Sequence, residues 1–362
     1  MINKNQYIDL FVKLLSIPAL SGEESRRADL LEKYFLDLDI PVQRIHNNLI
    51  AGDPDAGDKR KTLLLNSHLD TVPPSDDWLL DPYIPIVNGT KITGLGSNDA
   101  GASVIALIHA FEILRDKVED AVRLLLVLSA EEEISGQKGI SSIVGQLGHI
   151  DGVLIGEPTN MQVAVAERGL MVIDAVVKGR SGHAGRNEGD NAIYKAISDI
   201  SAIGKLKFER RSEWLPDPSV QVTLIESGKR HNVVPDSCNY TMDVRSNDQY
   251  SNQELLDILN QTCQASLSPR SMRLKSSSLP EGHFFYQAIQ QTGLVPFGSL
   301  TLSDMAVLPF PAVKMGPGHS SRSHSANEYV LIREIENGAD VYTRFIQSVY
   351  NILKPQADET MG

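Results

Sequence analysis

The sequence predicts an α/β fold, in which a parallel-rich sheet with flanking helices is interrupted by an inserted ferredoxin-like βαββαβ domain. Three observations lead to this prediction. The chain has 362 residues, more than one hydrophobic core usually organises, so two domains are expected. Short apolar runs alternate with helical periodicity from Thr62 to Glu157. A different order of predicted strands and helices begins near Glu167 and ends near Pro280.

The first region contains three predicted strands and one predicted helix. The strands are TLLLN at 62–66, RLLLVLS at 123–129 and GVLIG at 152–156. A helix is predicted over Ala100–Arg115, since one of its faces would carry Val104, Leu107, Ile108, Phe111 and Leu114. Continuous apolar strands separated by a helix are typical of a parallel sheet that helices cover.

The second region reads as strand, helix, strand, strand, helix, strand. The strands are predicted at 170–179, 219–227, 238–246 and 271–278, and the third alternates Cys238, Tyr240, Met242 and Val244 with polar residues. The helices are predicted over Asn191–Ile203, with Ile193, Ile197 and Ile200 in register, and over Asn252–Leu267. This is the order of a ferredoxin-like sandwich. Residues 168–279 are therefore expected to be inserted into a domain made of 1–167 and 280–362.

Composition excludes several classes of protein. An apolar fraction of 41% and a charged fraction of 22% are those of an ordered globular chain. The net charge of -12, with scattered Lys and Arg, argues against a nucleic-acid partner. No apolar run approaches the ~20 residues that span a membrane. The N-terminal segment reads as an amphipathic helix rather than a leader, so a cytoplasmic protein is expected.

Candidate metal ligands follow the predicted strands of the first region. TLLLN runs into His68 and Asp70, RLLLVLSA into Glu131–Glu133, and GVLIG into Glu157. Asp99 precedes the predicted helix, and His324 lies in a loop of the returning domain. Functional side chains in an open α/β sheet gather at the carboxyl ends of the strands. Because Cys238 and Cys263 are the only cysteines, a metal site must be built from His and carboxylates.

Simpler interpretations exist for each of these residues. A single His or Glu at a strand end is usually a solvated loop residue. Glu131–Glu133 would then be an acidic turn, although three adjacent carboxylates repel one another without a nearby cation. The loop GLGSNDAG at 94–101 lacks the Lys-Ser/Thr of a phosphate-binding P-loop. The combination of five candidates, rather than any single one, favours a metal site.

In order along the chain, the motifs resemble those of the co-catalytic two-zinc deacylase and exopeptidase family, which has a zinc exopeptidase-like catalytic domain. The family includes acetylornithine deacetylases, succinyl-diaminopimelate desuccinylases and glutamate carboxypeptidases, and the resemblance is closest to the first of these groups. The matching motifs are HLDTVP at 68–73, NDAG at 98–101, the Glu triplet, GEPT at 156–159 and HSANE at 324–328. Glu131 stands where the family usually has Asp, and Ala100 where a larger residue is usual. Neither departure removes a ligand.

The resemblance implies a role for each residue of the site. Asp99 would bridge two zinc ions, with His68 and Glu157 completing one and Glu133 and His324 the other. Cobalt would be able to replace zinc. Asp70 would orient the imidazole of His68, and its simpler interpretation is a turn-capping aspartate. Glu132 would be the general base that takes a proton from the attacking water and returns it to the leaving amine.

The inserted domain supplies three further candidates. In the resembling family, the residue that matches His183 reaches the active site of the partner in a homodimer formed through the insert, where it hydrogen-bonds the developing oxyanion. Asn232 and Arg245 match substrate-binding positions, and a guanidinium suits a free carboxylate. A surface ion pair is the alternative for Arg245.

Three functions are compatible with this sequence. The first is zinc-dependent hydrolysis of the amide bond of an N-acyl amino acid, of the N-acetylornithine or N-acetyl/succinyl-citrulline class, in arginine biosynthesis. Gly316-Pro317-Gly318 before the last histidine, His324, and Glu328-Tyr329 after it favour this function. The second is a succinyl-diaminopimelate desuccinylase or a di- or tripeptidase, and Arg322 could meet a succinyl carboxylate. The third is a non-catalytic metal-binding module, which the presence of Glu132 beside the ligands disfavours. The role of His319 stays open.

Overall fold

The computed structural model describes residues 4–53 and 60–354, and its helices lie before, within and after the predicted insert. None of these helices is long and apolar enough to cross a membrane. The helices are α1 (Lys4–Leu15), α2 (Ser25–Asp37), α3 (Ala102–Leu114), α4 (Ala192–Ile203), α5 (Asn252–Thr262), α6 (Phe284–Thr292) and α7 (Ile332–Leu353). A turn over Ser97–Gly101, in which Asp99 and Ala100 have non-helical main-chain angles, directly precedes α3.

The strands are mostly short. They are β1 (Val42–Ile45), β2 (Asn48–Ala51), β3 (Lys61–His68), β4 (Ile86–Asn88), β5 (Lys91–Thr93), β6 (Val122–Ser129), β7 (Gly152–Gly156), β8 (Val163–Glu167), β9 (Met171–Lys178), β10 (Gly182–His183), β11 (Ser219–Ser227), β12 (Val233–Val234), β13 (Ser237–Arg245), β14 (Ser266–Pro269), β15 (Ser277–Ser278), β16 (Pro296–Ser299), β17 (Ala312–Met315) and β18 (Tyr329–Leu331). The longest are β11 and β13, with nine residues each.

The chain divides into two compact units. The first consists of Met1–Val165, Leu279–Phe297 and Ser303–Gly362. The second consists of Ala166–Ser278 and Gly298–Leu302. The predicted limits of the insert were residues 168 and 279.

A mixed sheet forms the core of the first unit. Its strands follow the order β1-β2-β6-β3-β7-β17-β8. β3 runs parallel to both β6 and β7, and β17 runs parallel to β7, whereas β1, β2 and β8 join by antiparallel pairing. Leucines and valines of β3 and β6 are buried on both faces, as is expected for strands that are covered on both sides. α3 packs on this sheet and against α7. The α/β prediction with a parallel-rich sheet is confirmed.

The second unit is a four-stranded antiparallel sheet with two helices. The strand order is β11-β13-β9-β14, and α4 packs on β9 and β13 and against α5. The alternating residues of β13 are buried as predicted, and Cys238, Tyr240, Met242 and Val244 belong to the core of this unit. The order β9-α4-β11-β13-α5-β14 is the predicted βαββαβ order. A two-stranded ribbon of β10 and β12 is added to it.

Two elements of the second unit differ from the prediction. The fourth strand is β14, at Ser266–Pro269, and not the predicted strand at 271–278, because β9 pairs with residues directly after α5. α4 buries Ala192 and Ala196, whereas of the three isoleucines that were predicted in register Ile193 and Ile200 are only half-buried and Ile197 is exposed. Small residues allow the helix to approach the sheet closely, which leaves Ile197 55% exposed.

Candidate metal centre

Parallel strands bring three groups of polar side chains to the same edge of the first unit's sheet. β3 ends at His68, β6 ends just before Glu131–Glu133, and β7 ends just before Glu157. Asp99 comes from the turn before α3, and His324 from the loop before β18. The side chains of His68, Asp99 and Glu133 lie close enough together to hold a metal ion, as do those of His68, Glu132 and Glu157.

Asp99 lies between two histidines. Its Oδ1 is 3.2 Å from Nε2 of His68, and its Oδ2 is 3.8 Å from Nε2 of His324. Glu157 Oε1 is 3.6 Å from the same nitrogen of His68, and Glu133 Oε2 is 2.9 Å from Nε2 of His324. The structure thus brings all five predicted ligands together in two groups that share Asp99. That each of them binds metal stays a prediction.

The electrostatics of this cluster fit a pair of cations. Burial and the negative charge of Asp99 raise the pKa of Glu157 well above its usual range. Burial also raises the pKa of Glu132, and the charges of Glu157 and Asp304 add to the effect. Carboxylates so close together repel one another unless positive charge lies among them. Because the donors are imidazole nitrogens and carboxylate oxygens, the residues present fit zinc or a related divalent ion.

The contacts of Asp70 differ in part from the expectation. Nδ1 of His68 hydrogen-bonds the main-chain carbonyl of Asp70 at 3.0 Å, while the carboxylate oxygen Oδ1 is 3.5 Å away. The carboxylate instead accepts main-chain N–H bonds from Glu132 and Glu133, both at 3.1 Å, and the hydroxyl of Ser21 at 2.7 Å. Asp70 therefore contacts the imidazole mainly through its carbonyl and holds the glutamate turn with its side chain.

Two other buried carboxylates hold the turns of the centre, and the sequence analysis predicted no structural role for either side chain. Glu24 accepts the main-chain N–H of Glu131 at 3.1 Å and that of Gly22 at 2.6 Å. Glu328 accepts the main-chain N–H of Asp99 at 2.9 Å. Burial and the charge of Asp99 raise the pKa of Glu328 to about 8, although the amide donors oppose this shift. A carboxylate that bonds to main-chain amides leaves no side-chain pattern in a sequence.

The remaining predicted residues lie in the second unit. His183 and Asn232 belong to one ribbon, since His183 pairs with Val233 and the carbonyl of Asn232 accepts the N–H of Ala184 at 3.1 Å. Arg245 ends β13 and donates to both carboxylate oxygens of Asp243, at 2.7 and 3.0 Å. The ion pair considered as the alternative for Arg245 is present, so a substrate carboxylate would have to compete with Asp243.

Arg322 does not offer a free guanidinium to a succinyl group. It donates to both oxygens of Glu334, at 2.7 and 3.0 Å, and its guanidinium lies 4.5 Å from the ring centre of Tyr329. His319 is fixed through its main chain, whose N–H donates to Oδ1 of Asn98 at 2.9 Å. Its imidazole hydrogen-bonds the hydroxyl of Ser321. Both residues thus help to shape the loop that leads to His324.

Comparison with known proteins gives the family of this fold and site. Residues 64–348 match the model of peptidase family M20/M25/M40. A succinyl-diaminopimelate desuccinylase of Wolbachia pipientis is 23% identical, over 95% of this chain and 93% of the relative. A [LysW]-lysine/[LysW]-ornithine hydrolase of Sulfurisphaera tokodaii is 27% identical, over 96% of this chain and 97% of the relative.

Solved structures share the fold over nearly the whole chain. Aminopeptidase PepT of Bacillus cereus superposes with a TM-score of 0.76 at 19% identity, covering 96% of this chain and 99% of its own. The YXEP protein of Bacillus subtilis, described as a dinuclear metal-binding peptidase, has a TM-score of 0.74 at 15% identity, covering 97% and 98%. At these identities the likeness establishes the fold alone.

Proposed function

The chain belongs to peptidase family M20/M25/M40 and is a metal-dependent hydrolase of amide bonds, and from this premise we propose that it removes an acyl group from the nitrogen of an amino acid. Succinyl-diaminopimelate is the first candidate substrate. The observation that carries this proposal is the position of Glu132, a half-buried carboxylate whose oxygen lies close to the side chains of His68 and Glu157.

The ligand set supports a centre of two divalent ions, for which zinc is proposed. His68 and Glu157 would hold one ion, Glu133 and His324 the other, and Asp99 both. Ions bound there would make a water more acidic and polarise the amide carbonyl.

Glu132 supplies the proton transfer. Burial and the neighbouring carboxylates raise its pKa, which strengthens it as a proton acceptor. As general base it would take a proton from the attacking water and deliver that proton to the leaving nitrogen. Its main-chain N–H is fixed by Asp70, so the carboxylate projects from a turn of defined geometry. A non-catalytic metal-binding module would not require a general base in this position.

The choice of substrate rests on the relatives and on charge. Several desuccinylases are 23–25% identical to this chain over nearly its full length. Their names say that they act on an acyl group and an amino acid that both carry additional carboxylates. Lys229 and Arg230, whose side chains are exposed, lie just before Asn232 in the chain. Positive side chains beside the proposed substrate contacts suit an anionic substrate.

The expectation of N-acetylornithine as substrate, and of a place in arginine biosynthesis, finds no support in these relatives. It depended on Gly316-Pro317-Gly318 and on Glu328-Tyr329, both of which lie in the first unit. Gly316 has a structural explanation, because a side chain there would lie 2.5 Å from the main-chain oxygen of Glu157. N-acetylornithine and the acyl-citrullines therefore follow succinyl-diaminopimelate as candidates.

A homodimer through the second unit is part of the proposal. β11 is an edge strand, and its Leu224 and Ile225 are 63% and 56% exposed. Tyr194 and Ile197 of α4 are also exposed, at 72% and 55%. Exposed apolar groups on an unpaired edge strand are suited to pairing with a second copy. Such a dimer would allow His183 to serve the centre of the partner and hydrogen-bond the oxyanion.

A release assay over a matched panel tests the substrate. Succinyl-diaminopimelate, succinyl-ornithine, acetylornithine, acetylcitrulline and a dipeptide are each incubated with the zinc-loaded protein, and the free amine is measured. Glu132→Gln protein is the blank for contaminating activity. We expect the highest kcat/KM for succinyl-diaminopimelate. A higher kcat/KM for an acetylated substrate or a dipeptide would mean that succinyl-diaminopimelate is not the preferred substrate. No release of amine from any member of the panel would exclude the proposed function.

A further inference from the structure

Glu328 joins two loops that carry metal ligands. It lies four residues after His324, at the start of β18, and its side chain is 2% exposed. Its Oε1 accepts the main-chain N–H of Asn98 at 2.6 Å and of Asp99 at 2.9 Å. Its Oε2 accepts the N–H of Gly96 at 3.0 Å. One side chain thus fixes the turn that presents Asp99.

The main chain at Glu328 and just after it also joins the two loops. Tyr329 to Leu331 pair with Lys91 to Thr93 in an antiparallel ladder. Beyond the ladder, the carbonyl of Glu328 accepts the N–H of Gly94 at 3.0 Å. The carboxylate then accepts hydrogen bonds from main-chain amides of the turn, which lie beyond the end of the strand pairing. Main-chain and side-chain bonds of this segment therefore join β18 to the turn of Asp99 at several points.

The three donors around this side chain require a carboxylate. A glutamine would place its NH₂ group against a main-chain N–H, because every group that faces the side-chain oxygens of Glu328 is a donor. The buried guanidinium of Arg27 also attracts both Glu328 and Asp70, which offsets part of the repulsion between Glu328 and Asp99. Arg27 itself donates to the carbonyls of Leu69 and Ile17, which keeps it in place.

We propose that Glu328 is a positioning residue that fixes Asp99 relative to His324 and thereby sets the affinity of the centre for its metal ions. Both of its oxygens bond to main-chain amides, which distinguishes its role from that of a ligand such as Glu133. The two ligands that it connects approach to 3.8 Å, between Asp99 Oδ2 and His324 Nε2. This inference rests on the proposed metal centre and is independent of the identity of the substrate.

The test compares the metal affinity of Glu328→Gln with that of a control. The control is Glu112→Gln, which alters a part-buried carboxylate of α3 that is bonded to Tyr7 and Tyr34 and to none of the ligand turns. Metal-free proteins are titrated with Zn²⁺ against a chromophoric chelator, and Co²⁺ is added to record the visible absorption of the bound ion. Loss of such a supporting partner typically weakens metal binding by about 10–100-fold.

We expect Glu328→Gln to bind Zn²⁺ about 10–100-fold more weakly, with a changed Co²⁺ spectrum, and Glu112→Gln to match the parent. Glu328→Asp keeps the charge but is one methylene shorter, so it should also bind more weakly. Parent-like affinity and spectrum in folded Glu328→Gln would overturn the inference, even if that variant melted at a lower temperature. So would a parent protein that binds no divalent ion.

A measurement on the unaltered protein covers the case in which the variants do not fold. Hydrogen exchange of the metal-free parent should show slow exchange for the amides of Gly96, Asn98 and Asp99. Exchange as fast as that of the exposed segment 75–77 would mean that Glu328 does not hold the turn. A parent that binds metal tightly but releases no amine would refute the proposed function and leave this inference standing.

Discussion

The side chain of Asp70 supports the main chain of Glu132: Oδ1 accepts the Glu132 N–H at 3.1 Å, and Oδ2 accepts the next amide, that of Glu133, at the same distance. Asp70→Asn would place an NH₂ group against one of these two donors. We expect this variant to lose about 10–100-fold in metal affinity, and in rate, because both glutamates would shift. Zinc titration and kcat measured at saturating zinc separate the two effects.

Ser21→Ala is the matched control for Asp70. It removes one donor to Oδ2 but leaves both main-chain bonds in place. Its effects should be small beside those of Asp70→Asn. Equal losses in the two variants would mean that Asp70 acts through the Ser21 contact, and not through the glutamate turn.

Substitution of Glu132 should impair proton transfer, whereas substitution of Glu133 should impair metal binding. Glu132→Gln should retain two equivalents of zinc and lose about 10²–10⁴-fold in kcat, since it removes a general base. Glu133→Gln should lose zinc, because Glu133 faces His324 at 2.9 Å. Metal analysis and kinetics on the same preparations check both. The reverse pattern would mean that the roles of the two glutamates are exchanged.

The strands of the central sheet could be predicted because local sequence determines them. β3, β6 and β7 are continuous apolar runs that end in polar turns, and such runs have few alternatives in a covered sheet. The last strand of the second unit depends on pairing instead. Met272 packs against the core of that unit without belonging to a strand, while Ser266 pairs with Val176. Residue pattern alone does not determine which of two adjacent segments reaches the partner strand.

The candidate ligands could be predicted from the sequence, whereas the residues that hold their turns could not. His68 is the last residue of β3 and Glu157 directly follows β7, so topology alone places them at one edge. Glu328 and Glu24 act on main-chain amides, and Glu328 bonds to an amide that is 229 positions away in the chain. The pairing of Arg322 with Glu334 likewise depends on where α7 begins. Contacts of this kind become visible only when the fold has brought the segments together.

Glu112 should give the protein a defined pH dependence of stability away from the metal centre. Burial raises the pKa of this carboxyl, although the hydroxyls of Tyr7 and Tyr34 oppose the shift by donating to it at 2.7 and 2.8 Å. A raised pKa in the folded state means that the folded chain binds the proton more tightly. The stabilisation from protonation is therefore complete below the pKa of the unfolded chain, about 4.3, and is lost as pH rises through the folded pKa.

Glu112→Gln should remove this dependence, because its amide stays neutral and the tyrosine hydroxyls can both donate to it and accept from it. The free energy of unfolding, measured in urea on metal-free protein, should favour the variant more at pH 8 than at pH 4. If the difference between variant and parent is the same at both pH values, the carboxyl does not titrate as the structure indicates.

The edge strand β11 should determine the oligomeric state. Leu224→Asp places a charge in its exposed apolar stretch, so we expect a monomer by light scattering where the parent is a dimer. The matched control is Leu36→Asp on α2, because Leu36 is exposed to a similar degree, 58% against 63% for Leu224. A dimeric Leu224→Asp protein would move the proposed interface away from β11.

The active site should be shared between two subunits, with His183 acting on the centre of the partner. His183 lies in the second unit, whereas all five candidate ligands lie in the first. His183→Ala should fold and bind metal, but removal of a donor to the oxyanion should slow it by about 10²–10³-fold. Glu132→Gln should be equally slow for a different reason. In a heterodimer of the two variants, one site would contain both lesions and the other site would be intact.

Mixing the two variants and allowing subunits to exchange should therefore restore activity. Random pairing of equal amounts gives heterodimers in half of the molecules, each with one intact site of two, so activity should reach about a quarter of the parent level. If His183 serves the centre of its own subunit, every site remains damaged and no activity returns. Subunit exchange is verified independently with differently tagged proteins and mass spectrometry. Demonstrated exchange without recovery would exclude the shared site.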